Sequence, residues 1–394
     1  MTSLVDFCET DKQRAVVEAY ERLGSSLKAG KELGMCDSNV RRSLLRTKAR
    51  AAQRGWSPDH DMTHPVPDPF MVKRHSVNYV DGKLKQEWVI KEQRFEKALE
   101  LLKQAAEAYV ADLPRLKPRH KMPKMVEDDL LTFYPIADLH LGMYAWYQET
   151  GTNYDVRIAR NDLCSSMDYL VGRSPPSGRA VIASLGDFFH ADNLLGITER
   201  SGHVLQMDGR MSKVIDVGIA AFRQCVETAL DRHKEVEIIG VPGNHDEILS
   251  VAMSSMMRNI YEREPRVFVN EGRAERKYTR HGKCLLGVVH GHKTKDSELP
   301  GIMATERPKD WGATEYRYFF RGHQHHDDRR EYNGCIVEQV RTIAGRDAYA
   351  AGGGWLSGQD MKAIILDREF GEVDRQTCSL ALARKMARNA LDAA

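Results

Sequence analysis

The apolar residues of this chain change their spacing twice, and each change marks a segment. From Lys12 to Gly24 they recur at Val16, Val17, Ala19, Tyr20 and Leu23, which predicts a short amphipathic helix. A second helix is predicted over Leu27 to Leu33, stopped by Gly34. Cys36-Asp37-Ser38-Asn39 then offers N-cap residues for a third helix from about Val40 to Gln53. Pro58, Pro65, Pro67 and Pro69 interrupt regular structure. Val72 to Val80 and Lys83 to Ile90 flank Asp81-Gly82, the signature of a tight hairpin. Helical spacing returns between Gln93 and Asp112, through Phe95, Leu99, Leu102 and Ala106. The stretch from Pro114 to Pro123, with three prolines and a basic balance, reads as a domain boundary.

Beyond Leu130 the pattern becomes short buried runs separated by helical stretches. The runs are Leu131–Ala137, Ala180–Leu185, Glu237–Val241, Cys284–Val289 and Tyr318–Arg321; Asn161–Val171 and Lys213–Arg232 have helical spacing. Strands alternating with helices predict an α/β architecture with function at the carboxyl ends of the strands. Three segments follow: a basic helical region over 1–57, a Pro-rich segment with hairpin, helix and linker over 58–124, and a catalytic half over 125–394. The glycine run from Tyr349 to Trp355 is either a substrate loop or a surface turn. Cys378 to Leu391 reads as an amphipathic helix for packing or self-association.

Composition narrows the class. The 394 residues are 42% hydrophobic and 29% charged, with a net charge of only +2, so binding to nucleic acid must rest on local charge. Seven scattered cysteines without a C-x-x-C pair argue against a disulfide framework or thiolate zinc site and for a reducing cytoplasm. Met1 to Lys12 lacks an apolar core, and no run approaches the length of a membrane span, so neither secretion nor a membrane partner is expected.

The buried runs end in chemistry. Asp138-Leu-His140 follows the first and Gly186-Asp187 the second. Gly243-Asn244-His245-Asp246 follows the third, His290-Gly291-His292 the fourth and Gly322-His323-Gln-His325 the last. Alternation along a strand places Asp138 and His140 on one side, spaced to chelate a single ion. Five such strand ends without a cation would leave several buried carboxylates and imidazoles unpartnered. This ordered set resembles the calcineurin-like metallophosphoesterase family over about Leu130 to Asp367. The resemblance implies an α/β fold, an α+β sandwich of central sheets flanked by helices, with a small helical N-terminal domain beside it.

It also implies two divalent ions about 3.5–4 Å apart, with a bridging hydroxide that attacks phosphorus. By the same resemblance Asp138, His140 and His325 hold one ion, Asn244, His290 and His323 the other, and Asp187 bridges. The mixed oxygen and imidazole ligands suit Mn²⁺, with Fe²⁺ or Zn²⁺ as alternatives. His245 would protonate the leaving group, and Asp246 would orient a neighbouring histidine ring. His290 is preferred to His292 as ligand because the strand ends there; His326 reads as a solvated loop residue.

Purple acid phosphatases carry a tyrosine ligand three residues after the Gly-Asp aspartate; here His190 stands there. The stretch Gly186-Asp187-Phe-Phe-His190-Ala-Asp-Asn193 instead resembles double-strand-break repair nucleases, including the nuclease subunit of the bacterial SbcCD complex. His190 and Asn193 are therefore candidates for contact with substrate, though a buried supporting histidine is an equal reading of His190. Near the N-terminus, Ala29-x-x-x-Leu33-Gly34 with Val40 and Leu44 resembles a helix-turn-helix. Arg41, Arg42, Arg46, Lys48 and Arg50 would lie on its DNA-facing helix; a three-helix bundle with a solvated basic face is the alternative. The hairpin is either a wing of that domain or an unrelated small sheet.

The pairing resembles some phage and prophage proteins. The expected function is a metal-dependent phosphodiesterase, a DNA nuclease, working with a separate ATPase partner or as a homo-oligomer. Hydrolysis of signalling nucleotides or phosphoproteins, or DNA binding with an inactive metal site, are the alternatives. A basic groove is sought among Arg266, Arg273, Arg276, Lys277, Arg280, Lys283, Arg329 and Arg330.

Overall fold

Left-handed glycines stop the first helices. α1 (Asp11–Leu23) ends at Gly24 and α2 (Ser26–Leu33) at Gly34, both with φ 64°, and side chains of Thr10 and Ser25 cap their starts. α3 (Asp37–Gln53) begins three residues before the apolar pattern does. Asp37 thus sits inside its first turn, where a carboxylate suits the positive end of the helix. The turn between α2 and α3 is closed by Gly30, where a Cβ would stand 2.6 Å from the Met35 carbonyl oxygen. Val16, Val17, Ala29, Val40, Leu44 and Ala51 form the core of this bundle, joined by Leu4 and Phe7. An antiparallel hairpin follows, β1 (Phe70–Val80) against β2 (Lys83–Gln93).

The structure is a computed structural model that describes residues 3–60, 62–66, 70–81, 83–93, 123–192, 205–354 and 356–392. Gly82, Asn193, Trp355, the linker from Pro114 and, apart from Gln93, the helix predicted over Gln93 to Asp112 lie outside them. The chain divides into two compact units, Met1–Leu101 and Leu102–Ala394. No described helix is long and apolar enough to cross a membrane. All seven cysteines are free.

The second unit is built on two sheets. In chain order its strands and main helices are β3 (Glu127–Ile136), α4 (Val156–Arg173), β4 (Ser177–Ser184), α5 (Met211–Leu230), β5 (Glu235–Gly240), α6 (Glu247–Ile260), β6 (Val267–Asn270), β7 (Arg276–His281) and β8 (Cys284–Val289). α7 (Leu299–Glu306), β9 (Tyr316–Arg321), β10 (Asp328–Tyr332), β11 (Cys335–Gln339), β12 (Asp360–Asp367), β13 (Gly371–Ser379) and α8 (Leu380–Asp392) complete it. One sheet has the order β13-β12-β3-β4-β5-β6, the other β10-β11-β9-β8-β7. β3 to β6 run parallel, as do β8, β9 and β11.

Alternation along β3 decides what each face covers. Leu131 and Phe133 point into the layer between the sheets, where Phe133 stacks on Phe320 with ring centroids 4.5 Å apart. Tyr134 and Ile136 point the other way, into a core shared with α4, α5, α6 and α8. Leu299 and Met303 of α7 cover the outer face of the second sheet. The result is a mixed α/β sandwich. Removing a ring such as Phe133 from this interior costs about 3–5 kcal/mol.

Strands β10 to β13 escape the apolar pattern because charge runs through them. Glu338 and Lys362 are both buried and face each other at 3.1 Å, and Lys362 also meets Asp327 at 2.5 Å. Arg375 closes the group on Glu338.

One buried histidine gives the fold a pH dependence. His233 accepts the Ser177 backbone N–H at Nδ1 (3.2 Å) and meets the Tyr134 hydroxyl at Nε2 (2.8 Å). Burial, with Arg232 adding to it, pushes its pKa down to about 3. The folded state therefore keeps it neutral while the unfolded chain takes up a proton near 6.5. Its contribution is complete above that value and is lost as pH falls, at about 1.4 kcal/mol per pH unit. Between pH 8 and pH 5 the unfolding free energy of His233→Gln should fall about 2 kcal/mol less than that of the wild type. Equal losses in urea titrations would remove His233 as the cause.

Candidate metal centre

Five parallel strands release their chains at one edge of the sandwich, and each loop begins with candidate ligands. Asp138 and His140 follow β3, Asp187 follows β4, Asn244 and His245 follow β5, His290 follows β8, and His323 and His325 follow β9. The backbone there is unusual. Six described non-glycine residues have positive φ, and five of them are Asp138 (49°), His140 (46°), Asp187 (52°), His323 (78°) and His325 (61°). Each such residue costs on the order of 1–3 kcal/mol, and that strain clusters where surrounding structure fixes a functional geometry.

Glycines make the close approach feasible. A Cβ on Gly322 would stand 2.6 Å from Asp138 Oδ2, one on Gly186 (φ 88°) 2.7 Å from His290 Nδ1, and one on Gly243 would overlap Asp187 Oδ1.

Three groups of converging donor atoms emerge among the described residues; that of His140, His190 and His245 holds imidazoles alone, and the other two include a carboxylate. The donor atoms of Asp138, His140 and His325 lie within 4.8 Å of one another, and so do those of Asp187, His290 and His323. Asn244 joins the second, its Oδ1 2.9 Å from His290 Nε2. His290 supplies the test of fit. Its Nδ1 donates to the Leu185 carbonyl oxygen at 2.9 Å, so its Nε2 lone pair faces Asn244 Oδ1 and Asp187 Oδ2, the latter at 3.1 Å. Converging acceptors repel unless a cation sits among them, so the residues fit a divalent metal ion. In the metal-free protein a proton takes that place. Burial lowers the His290 pKa, but Asp187 beside it overrides this and pushes it up to about 9. Burial would likewise raise Asp187, and His290 holds it well below the usual carboxylate range. Burial, reinforced by His290, drives His323 down to about 4, leaving its ring neutral as a ligand must be.

The first set is as closely arranged. His140 Nε2 is 3.3 Å from His325 Nε2, and Asp138 Oδ1 is 3.5 Å from the latter. Asp138 accepts the His323 backbone N–H, and the Thr342 hydroxyl donates to its carbonyl oxygen. His245 lies beside His140, ring centroids 4.9 Å apart and edge to face. Its Nδ1 donates to the His190 carbonyl oxygen at 2.9 Å, which leaves Nε2 as the atom able to exchange a proton.

Three expectations are corrected, and His190 takes one of its two readings. Asp246 orients no histidine ring: Oδ1 accepts the N–H groups of Asp187 and Gly243, and Oδ2 those of Phe188 and Phe189, at 2.8–3.2 Å. The fully buried carboxylate ties the β4 loop to the β5 loop, and burial together with Asp187 raises its pKa to about 6. His190 is 2% exposed, as the supporting reading of this residue requires. It lies beneath His140, Nδ1 to Nδ1 at 3.1 Å, and stacks on His245. Arg50 is turned inward, bonded to the Phe7 carbonyl oxygen at 2.9 Å and to Glu9 at 2.6 Å, so it does not belong to the basic face. Arg41, Arg42, Arg46 and Lys48 are exposed, with Arg41 ion-paired to Asp37 at 2.9 Å. Arg266 is spent on the carbonyl oxygens of Leu230, His233 and Lys234, and Arg276 and Arg329 are ion-paired, so the expected basic groove is largely neutralised.

His292 lies beside the second set, its ring centroid 5.3 Å from that of His290, with no hydrogen bond to either nitrogen. His326 is exposed, as a loop residue. Asp192 was not singled out, although its carboxylate accepts the Ile248 and Leu249 N–H groups at the start of α6. Its signal, an acid in the same stretch as His190, could be seen only with α6 in place.

No protein-family model matches the chain, and no curated protein matches it in sequence. Among solved structures it is similar to a Streptococcus pneumoniae protein described as a predicted phosphoesterase, at 12% identity over 64% of this chain and 98% of that one, with a TM-score of 0.28. An archaeal phosphodiesterase is 13% identical over 63% of this chain and 99% of its own, with a TM-score of 0.34. Vps29 of Entamoeba histolytica, complexed with zinc, is 11% identical over 63% and 99%, with a TM-score of 0.24. At such distances the function has to be argued from the residues themselves.

Asp246→Asn should weaken the tie between the β4 and β5 loops. An amide offers one acceptor oxygen and turns its NH₂ toward two backbone donors, at a cost of about 2–4 kcal/mol. Thermal unfolding should start several degrees lower, and the metal retained after dialysis should fall. An unchanged melting temperature with full metal content would show that the carboxylate is not the tie.

Proposed function

We propose that the chain is a metal-dependent phosphodiesterase of calcineurin-like chemistry that cleaves nucleic acid, with DNA as the favoured substrate. The observation that carries this reading is the convergence of acceptor atoms on His290 Nε2 beside a second carboxylate–imidazole set. Bound divalent ions, Mn²⁺ first among the candidates, would supply Lewis-acid charge and an activated water. Asp138, His140 and His325 would hold one ion, and Asn244, His290 and His323 the other, with Asp187 shared. His245, tautomer fixed by the His190 carbonyl, is placed to give a proton to the departing oxygen.

Nucleic acid is supported by two surface features. Tyr144, Trp146 and Tyr147 are 46%, 49% and 63% exposed within the loop that begins at His140. Exposed aromatics so close to the ligands suit the stacking of unpaired bases. In the first unit Arg41, Arg42, Arg46 and Lys48 stand out from α3 around Leu45, which is 69% exposed. That face suits the phosphates of a duplex. The neutralised groove favours a second reading, hydrolysis of small signalling nucleotides. The cytoplasm, a phage origin and a separate ATPase partner belong to the nuclease reading.

The deciding experiment is cleavage of end-labelled single- and double-stranded DNA with Mn²⁺, beside Asp187→Asn and His245→Ala controls and bis(p-nitrophenyl) phosphate. Wild-type cleavage lost in both variants is expected; hydrolysis of the small diester with DNA intact would overturn the substrate. Replacing Arg41, Arg42 and Arg46 together by alanine should lower the salt slope of DNA binding by about 3 and leave the small diester's hydrolysis unchanged. An unaltered slope would assign the basic face no role in binding.

A further inference from the structure

Away from the two ligand sets, one cavity brings a buried charge to open space. It lies among the end of β5, the first turns of α6 and the β6–β7 connection, with a volume of about 50 Å³. Its polar lining includes Ser254, Ser255, Arg258, Glu271, Arg273 and Lys277. A single water needs about 10–15 Å³ on this measure, so several waters or one tetrahedral oxyanion fit.

Lys277 is the anomaly. It is 5% exposed, yet among the described residues its ammonium makes one hydrogen bond, to the Asn270 carbonyl oxygen at 2.7 Å. An ammonium carries three donors, and a buried one with a single neutral partner is costly. Burial pushes its pKa down to about 8, and the charge of Glu271 offsets this only in part. Glu271 is exposed and its ion pair is with Arg258, at 3.1 Å. The lining therefore holds three cations against one carboxylate, with the exposed Arg273 among them. Ser255 adds a hydroxyl that can donate to an oxyanion, whereas that of Ser254 is turned to the Ser250 carbonyl oxygen at 3.1 Å.

We propose that this cavity is a phosphate-binding subsite, in which the Lys277 ammonium, the Arg273 guanidinium and the Ser255 hydroxyl hold a phosphate group separate from the one at the metal centre. Pro242 lines the cavity and stands two residues before Asn244, no more than about 7 Å along the chain. The group held there is thus either free phosphate or a second phosphate of the substrate that occupies the metal centre. The second source rests on the phosphodiesterase reading; the subsite itself does not.

The test is equilibrium binding of radiolabelled inorganic phosphate to the metal-loaded full chain. The wild type should show a class of sites that Lys277→Met weakens at least about ten-fold without loss of metal. Arg273→Ala, on an exposed side chain, should weaken the same class several-fold and guards against a Lys277 variant that does not fold. Phosphate binding unchanged in both variants would overturn the subsite. A kinetic comparison then separates the sources. For a 5′-phosphorylated dinucleotide, Lys277→Met should raise KM and leave kcat unchanged, with no effect on bis(p-nitrophenyl) phosphate. An unchanged KM, with phosphate binding lost, assigns the subsite to free phosphate. If no diester is hydrolysed by the wild type, the phosphodiesterase reading fails while the binding result still decides the subsite.

Discussion

The Asp246 carboxylate and the four backbone N–H groups around it are the constraint on which the metal centre depends. Hydrogen bonds to an ionised acceptor contribute roughly 1.5–3 kcal/mol each, the scale needed to hold neighbouring residues at positive φ. Because three of the donors belong to Asp187, Phe188 and Phe189 and the fourth to Gly243, the carboxylate fixes the distance between the bridging candidate and the Asn244–His245 loop. Both loops leave parallel neighbours, β4 and β5, so the tie spans the shortest gap that the sheet offers.

Above that tie the site is a balance of like groups. His140, His190, His245 and His325 crowd one another, and burial keeps His190 from taking a proton, at about 3. His290 stands opposite, where Asp187 outweighs burial. The neutral rings of His140 and His190 on one side and a proton-holding ring between carboxyl and amide oxygens on the other mark where positive charge belongs. A cation held by the second set would displace that proton, which would link metal affinity to pH there.

The phosphodiesterase reading gains coherence from how cations are distributed elsewhere. Most arginines of the catalytic unit expected to line a groove are paired with carboxylates or carbonyl oxygens, and Lys277 stands apart from them by being buried with one neutral partner. Recognition of a polymer would then rest on stacking at Tyr144, Trp146 and Tyr147, on a phosphate beside α6, and on the basic face of α3. None of these requires a strongly positive molecule, in keeping with a net charge of +2.

How much of this was legible in the chain follows from the range of the forces involved. Strands ending in Asp-x-His, Gly-Asp, Gly-Asn-His-Asp, His-Gly-His and Gly-His-x-His could be read directly, because apolar runs and the polar residues that close them are local in sequence. The same holds for α1 and α2, stopped by Gly24 and Gly34. Other roles were invisible for the opposite reason. Asp246 looked like a partner for a histidine, and only the packing of β4 against β5 brings four backbone donors to it. His190 and Arg50 looked available, and only the folded chain covers one and turns the other toward Phe7. Strands β10 to β13 were masked by Glu338, Lys362 and Arg375, whose burial is tolerable only once they meet across β11, β12 and β13. Sequence by itself determined which residues could hold a metal and where strands would present them. Tertiary structure decided which oxygens and ring nitrogens face one another, because desolvation and pairing act across space between segments far apart in the chain.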